Sequence, residues 1–263
     1  MTSLKKSLKR LNLVLMLLYA SQGFSQMSGN PVEGKGNGEW TVSVCGNYFH
    51  QQLATEMAVS KRVLAKSIWG LSPYFDLYGV AGVSQLNMRT DDSGIDDFKG
   101  QYEFGYGGGI KLQMQRISSL SSIGIWMDIQ LLRFKSDGAF MEYLDQAGSS
   151  YYRKFQMKYD WRELKGNLGI TLPYRSFRVY IAGTGWLLQR LDNKEEYISY
   201  GSSESFVGKD NGKYQTGLLK GVTIGVELFL PDQHALSVEA LFFSSKDYQI
   251  MVGICQTGIS DWD

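Results

Sequence analysis

Tyr248-Gln249-Ile250-Met251-Val252-Gly253-Ile254-Cys255 alternates without a slip: Tyr248, Ile250, Val252 and Ile254 fall on one face of an extended chain, and Gln249, Met251, Gly253 and Cys255 on the other. Successive strand side chains point to opposite faces, whereas a helix would scatter the same four apolar residues around its circumference. One face of this segment is therefore apolar along its whole length.

The same grammar recurs upstream. Residues 220–230 set Val222, Ile224, Val226 and Leu228 against Gly221, Thr223, Gly225 and Glu227, and Ile123, Ile125, Met127, Ile129 and Leu131 alternate with Gly124, Trp126, Asp128 and Gln130. In residues 102–114, Tyr102, Phe104, Tyr106, Ile110, Leu112 and Met114 oppose Glu103, several glycines, Lys111 and Gln113. Stretches of this period run over 39–52, 59–71, 75–89, 101–115, 122–136, 155–172, 177–190, 214–230, 235–244 and 247–257. Each exceeds or matches the roughly 9 to 11 residues that a tilted strand needs to cross a bilayer.

Short links at 72–74, 116–121, 173–176 and 231–234 interleave with longer ones, the pattern of periplasmic turns and external loops. The longest connections, 137–154 and 191–213, are rich in Ser, Gly, Tyr and charges and read as solvated surface segments. The fold class expected is all-β, a transmembrane antiparallel up-and-down β-barrel of ten strands. An eight-strand count survives if the last two stretches form a single hairpin edge. In the seventh stretch Tyr180 and Trp186 fall opposite Val179, Ile181 and Leu187, so its inner and outer faces stay unassigned. A soluble β-sandwich would show shorter strands and more frequent turns.

The N-terminus reads as an address. Lys5, Lys6, Lys9 and Arg10 precede an apolar run over 11–20, too short to span a bilayer, and small residues Gly23 and Ser25 follow. That is a secretory signal peptide with cleavage expected after Ser25. The expected organisation is a signal over 1–25, a periplasmic segment over 26–38, the barrel over 39–258 and a tail over 259–263. Removing four basic residues and no acidic ones leaves 23 basic against 26 acidic, a formal charge of −3, which argues against a nucleic-acid partner.

With the apolar faces turned to lipid, the charges assigned to the lumen are Arg62, Lys66, Glu103, Lys111, Asp128, Glu163, Lys165, Glu227 and Glu239, four basic and five acidic. Near-balanced signs in a narrow barrel favour a paired polar network over a selective channel, because unpaired charges there are costly. Cys45 and Cys255 fall on the lumen side of the first and last strands, which must be neighbours if the barrel closes. A cross-seam disulfide and two separate thiols both stay open, since bonding also needs matched register.

Other constellations have plain readings. Trp40, Tyr48, Trp69, Tyr74, Phe75, Tyr102 and Phe177 near strand ends fit interfacial aromatic girdles. The acidic loop Asp91-Asp92-Ser93-Gly94-Ile95-Asp96-Asp97 lacks the ordered spacing of a calcium loop. The Gly105 to Gly109 run has no following Lys-Ser/Thr pair, so it reads as strand curvature and as room for a bulky partner such as Trp126 or Trp161. No catalytic motif, cofactor site or metal site emerges: His234 sits in a turn, and His50 near the external end of the first strand has no motif beside it.

The signal peptide, the alternating strands and phrases such as Tyr74-Phe75-Asp76-Leu77-Tyr78-Gly79 and Leu132-Arg133-Phe134 resemble small outer-membrane β-barrel or porin-like proteins of Gram-negative bacteria. The resemblance covers essentially the whole mature chain and is architectural. It implies an outer-membrane location, lipid and the barrel-assembly machinery as partners, small solutes or extracellular ligands as cargo, and a porin-like or structural role. An adhesin or receptor working through its loops is the alternative, and some ten-strand barrels, the omptin proteases among them, are enzymes. The chain departs from the class at its end, where Thr257 to Asp263 offers Trp262 rather than a terminal aromatic.

Overall fold

The computed structural model describes residues 38–53, 56–90, 97–114, 123–146, 149–174, 176–200, 203–231, 234–244 and 246–259. The expected signal peptide, most of the acidic loop and Trp262 lie outside them. Eleven strands form one antiparallel sheet: β1 (Trp40–Leu53), β2 (Glu56–Ser72), β3 (Phe75–Thr90), β4 (Phe98–Met114), β5 (Gly124–Gln146), β6 (Ser149–Pro173), β7 (Phe177–Tyr200), β8 (Ser203–Gln215), β9 (Leu219–Leu230), β10 (His234–Phe242) and β11 (Tyr248–Ile259).

Ladders β1–β2 through β6–β7, then β7–β9, β9–β10 and β10–β11, return to β1, where Ser43 pairs with Cys255 and Tyr48 with Ile250. The ring therefore closes on ten wall positions, and backbone donors and acceptors find partners within the wall, the condition for crossing lipid. The eighth position is the one the sequence reads as a single strand over 214–230. In the structure it is split: β8 pairs with the far part of β7 through Gln189↔Gln215, β9 with the near part through Trp186↔Leu219, and residues 216–218 interrupt the ladder.

At one end of the ring Pro73-Tyr74 links the paired Ser72 and Phe75. Proline suits that turn because its ring presets φ. This is the turn end, and the other is the rim end. The wall is tall on one side of the rim. The described residues of 137–154 and 191–213, read from sequence as solvated loops, instead continue the ladders β5–β6, β6–β7 and β7–β8, with Asp137↔Lys158, Tyr152↔Ser199 and Asp192↔Gly212 in register. Both faces of these extensions meet water, so apolar alternation disappears while the ladder goes on. Cross-strand pairs hold them: Lys158–Asp137 at 3.2 Å, Lys154–Glu204 at 3.0 Å, Lys209–Glu195 at 3.2 Å, and a Phe140–Phe155 stack at 4.7 Å.

Across the middle of the wall, Val42, Val44, Val63, Leu131, Leu168, Ile181, Ile224, Val238, Ile250 and Ile254 are exposed outward while their neighbours in sequence are buried. Trp40 stacks on Trp69 at 5.7 Å near the turn end, and Tyr48, His50 and Tyr248 cluster outward near the rim end. An apolar belt between aromatic girdles is the surface of a transmembrane barrel.

Candidate functional site

The interior is where the functional question lies, and it is filled. In the turn half the filling is polar. Tyr78 donates its hydroxyl to Asp128 at 2.7 Å, Asn167 reaches the other Asp128 oxygen at 3.4 Å, and Thr184 donates to Asn167 at 2.7 Å while lying 2.6 Å from Thr223. Arg178 pairs with Glu227 at 3.2 Å, Tyr180 donates to Glu239 at 2.8 Å, and the Lys66 ammonium sits 3.7 Å from the centre of the Tyr78 ring. Asp76 and Lys111 are direct ladder partners facing inward.

Below the mouth, the rim half packs aromatic and apolar side chains around the Arg62–Glu163 ion pair. Arg62 grips Glu163 with two N–H groups, at 2.6 and 3.1 Å, and the Trp161 indole donates to the same carboxylate at 2.6 Å. The guanidinium lies 4.4 Å from the Phe134 ring centre and 5.2 Å from that of Phe49. Phe49 in turn meets Trp186 edge-on at 5.2 Å, and Phe134 stacks on Trp161 at 5.8 Å. A buried ion pair is tolerable only when its remaining donors and acceptors are satisfied. Here three N–H groups converge on one carboxylate.

Contacts also reach across the ring. Arg190 of β7 binds Glu56 of β2 at 2.9 Å, and these strands stand five positions apart on a ring of ten. Arg190 further pairs with Asp192 at 2.7 Å and lies over Tyr159 and Tyr214 at 5.0 and 5.4 Å. Arg62–Glu163 joins β2 to β6, and Lys165 meets Gln249 of β11 at 3.5 Å. Side chains from facing walls touch at the mouth and midway down.

Eight of the nine sequence-assigned lumen charges, Arg62, Lys66, Lys111, Asp128, Glu163, Lys165, Glu227 and Glu239, are buried inside the ring. Glu103 has the inward parity opposite Ser84 but is only half-buried, near the rim end of β4. Asp76, Arg178 and Arg190 belong to the same interior and were not among the nine. For β7 the signal existed in Arg178, Thr184 and Arg190, three polar residues of one parity with Tyr180 and Trp186, set against Val179, Ile181 and Leu187. The even residues point inward.

Cys45 and Cys255 both face the interior and are not joined by a disulfide; Cys45 pairs with Gly253, and Cys255 with Ser43. The strand glycines make room for other partners than Trp126 and Trp161. A Cβ on Gly109 would run into the Tyr78 ring, one on Gly225 into the Tyr180 ring, and one on Gly105 would meet Phe134 Cβ at 3.0 Å. Trp126 and Trp161 are nonetheless fully buried in the lumen. His50 stacks on Tyr248 at 5.1 Å with Nδ1 2.7 Å from the Lys246 carbonyl oxygen, and Asp97 pairs with Arg89 at 3.8 Å. Asp91, Asp92 and Asp96 lie outside the described residues.

No family model matches the sequence, and no curated protein matches it. Solved structures do. An outer-membrane channel of the COG4313 group from Pseudomonas putida F1 is similar at 8% identity and a TM-score of 0.41, over 88% of this chain and 100% of that one. The outer-membrane protease OmpT from Escherichia coli is similar at 13% identity and 0.43, over 84% and 94%, and the transport unit of the E. coli autotransporter AIDA-I at 7% and 0.39, over 90% and 93%. The likeness is one of barrel form; the ring described above rests on its own hydrogen bonds.

Proposed function

We propose that this chain is a closed, non-conducting barrel of the bacterial outer membrane, structural in its membrane part and presenting the β5–β8 extensions to the exterior. The observation that carries this reading is the contact of facing walls: Arg190 with Glu56 at the mouth and Arg62 with Glu163 below it, embedded in Phe49, Phe134, Trp161 and Trp186. A solute path would require these groups to part, exposing a buried guanidinium and carboxylate together. The test is single-channel conductance of refolded residues 26–263 in a planar bilayer at high salt. Silence from a folded barrel is expected. Discrete, reproducible steps would replace this reading with a pore.

A receptor or adhesin role has its own observation. The tall side of the rim ends in a four-strand sheet, β5-β6-β7-β8, on which Phe206 and Val207 are more than half exposed and Met141 is 44% exposed, well beyond the apolar belt. Removing residues 137–154 and 191–213 tests it. Loss of surface attachment by cells whose shortened barrel still assembles supports a binding role, and unchanged attachment refutes it.

A further inference from the structure

On the outer wall the apolar runs of β5 and β6 stop, toward the rim, at Leu131 and Leu164. The next outward positions on these two strands are Arg133, Lys135, Asp137, Lys158, Asp160 and Arg162, four basic against two acidic. Arg133 and Arg162 are direct partners across the ladder. Like charges directly opposite each other destabilise a sheet, so something must justify them. Asp160 does so in part, accepting from Arg133 Nε at 2.9 Å and Nη2 at 2.6 Å and from Arg162 Nη2 at 3.1 Å. One carboxylate between two guanidiniums leaves one positive charge in excess, at the edge of the apolar belt.

Directly beside this pair the wall is indented by a depression of about 380 Å³. Leu131, Leu164 and Leu187 line it on the apolar side, and Arg133, Arg162 and the Tyr106 hydroxyl, 3.4 Å from Arg133 Nη1, stand on its border. An occupant must put an anion at the arginines and hydrocarbon on the leucines. Guanidinium forks match phosphate oxygens in pairs, and a tetrahedral anion can be shared between two of them. We propose that this depression binds the phosphate-bearing headgroup of a single lipid in the leaflet nearest the rim, with its acyl chains on the leucines. The proposal rests on the membrane location in the reading above and is independent of whether the lumen conducts.

The test uses the refolded barrel in mild detergent and native mass spectrometry, with a bisphosphorylated, acylated diglucosamine lipid and its dephosphorylated form as probes. The wild type should retain one phosphorylated lipid with about tenfold preference, a difference of about 1.4 kcal/mol. Arg133→Gln combined with Arg162→Gln should lose the preference while keeping heat-resistant electrophoretic mobility. Asp160→Asn breaks the same ion pairs but frees both guanidiniums, so it should raise lipid retention, whereas a purely structural trio would make it behave like the arginine variants. Equal retention of both lipids, preference surviving in the double variant, or displacement by inorganic phosphate as effective as by the lipid would each overturn the proposal. A chain that fails to insert into a bilayer at all would remove the membrane reading, and the site with it.

Discussion

The two halves of the interior solve one problem differently. In the turn half, charge and hydroxyl groups are spread over β3, β5, β6, β7, β9 and β10, so that Asp128 alone is shared by Tyr78 and Asn167. In the rim half, below the Arg190–Glu56 contact at the mouth, Arg62 and Glu163 form one ion pair, and aromatic rings enclose it. The contrast teaches where the molecule is brittle. A distributed network can pass a lost partner to a neighbour, while loss of either member of the enclosed ion pair removes two charge-assisted hydrogen bonds at once.

Glu163→Ala should be the most damaging single change, because it strands a buried guanidinium; removing one partner of such a pair costs about 3–5 kcal/mol. Urea unfolding followed by electrophoretic mobility measures it. Replacing Arg62 and Glu163 together by leucine should recover most of the loss, and failure to recover would show that the rim half depends on more than charge pairing. Phe134→Ala should cost about 3–5 kcal/mol by opening a cavity against Trp161 and Arg62. It is also the substitution that should introduce intermittent conductance if the aromatic cluster is the seal. Tyr78→Phe, in the turn half, should cost only about 1–3 kcal/mol for the lost bond to Asp128; a loss as large as that of Glu163→Ala would erase the distinction between the halves.

The smallest effect belongs to neither half. Beyond the apolar belt, the hydrogen bonds from Arg133 hold the Asp160 carboxyl down at about 2. A depressed carboxyl stabilises the fold above its unfolded value near 4 and loses that contribution as pH falls through about 2. Wild type should therefore be more stable than Arg133→Gln above about pH 4, with the two converging as pH falls toward about 2, and the difference should be slight because both arginines are well solvated.

Much of this architecture is legible in the sequence itself. The alternation in 248–255 and 220–230 locates wall strands and faces because lipid on one side and a packed lumen on the other impose a strict period of two. Where that contrast fails, the sequence misleads. The extensions at 137–154 and 191–213 have water on both faces, so strand and loop look alike there. The break between β8 and β9 has the same origin: Tyr214 and Gln215 belong to the wet extension, Leu219 onward to the belt, and one apparent stretch spans both. The lumen charges were readable strand by strand, but their partners were not, since Arg62–Glu163 and Arg190–Glu56 join residues 101 and 134 positions apart. The aromatic character of the rim half was hidden for a related reason. Phe49, Phe134 and Trp161 share the inward parity with polar residues, and only the curvature of the ring brings them together.

Closure of the ring has a consequence in time. The seam joins Val42 to Gln256 and His50 to Tyr248, and the Asp247 carboxylate accepts the Gln52 amide N–H at 2.7 Å across it. The first strand to be synthesised thus waits for the last. Until the final dozen described residues arrive, β1 and β10 each hold an open edge, the state in which sheets recruit the wrong neighbours. Because contacts so distant along the chain form slowly, a nascent chain of this design needs its edges kept occupied, and delivery of the C-terminal strand becomes the event that commits it to one finished barrel.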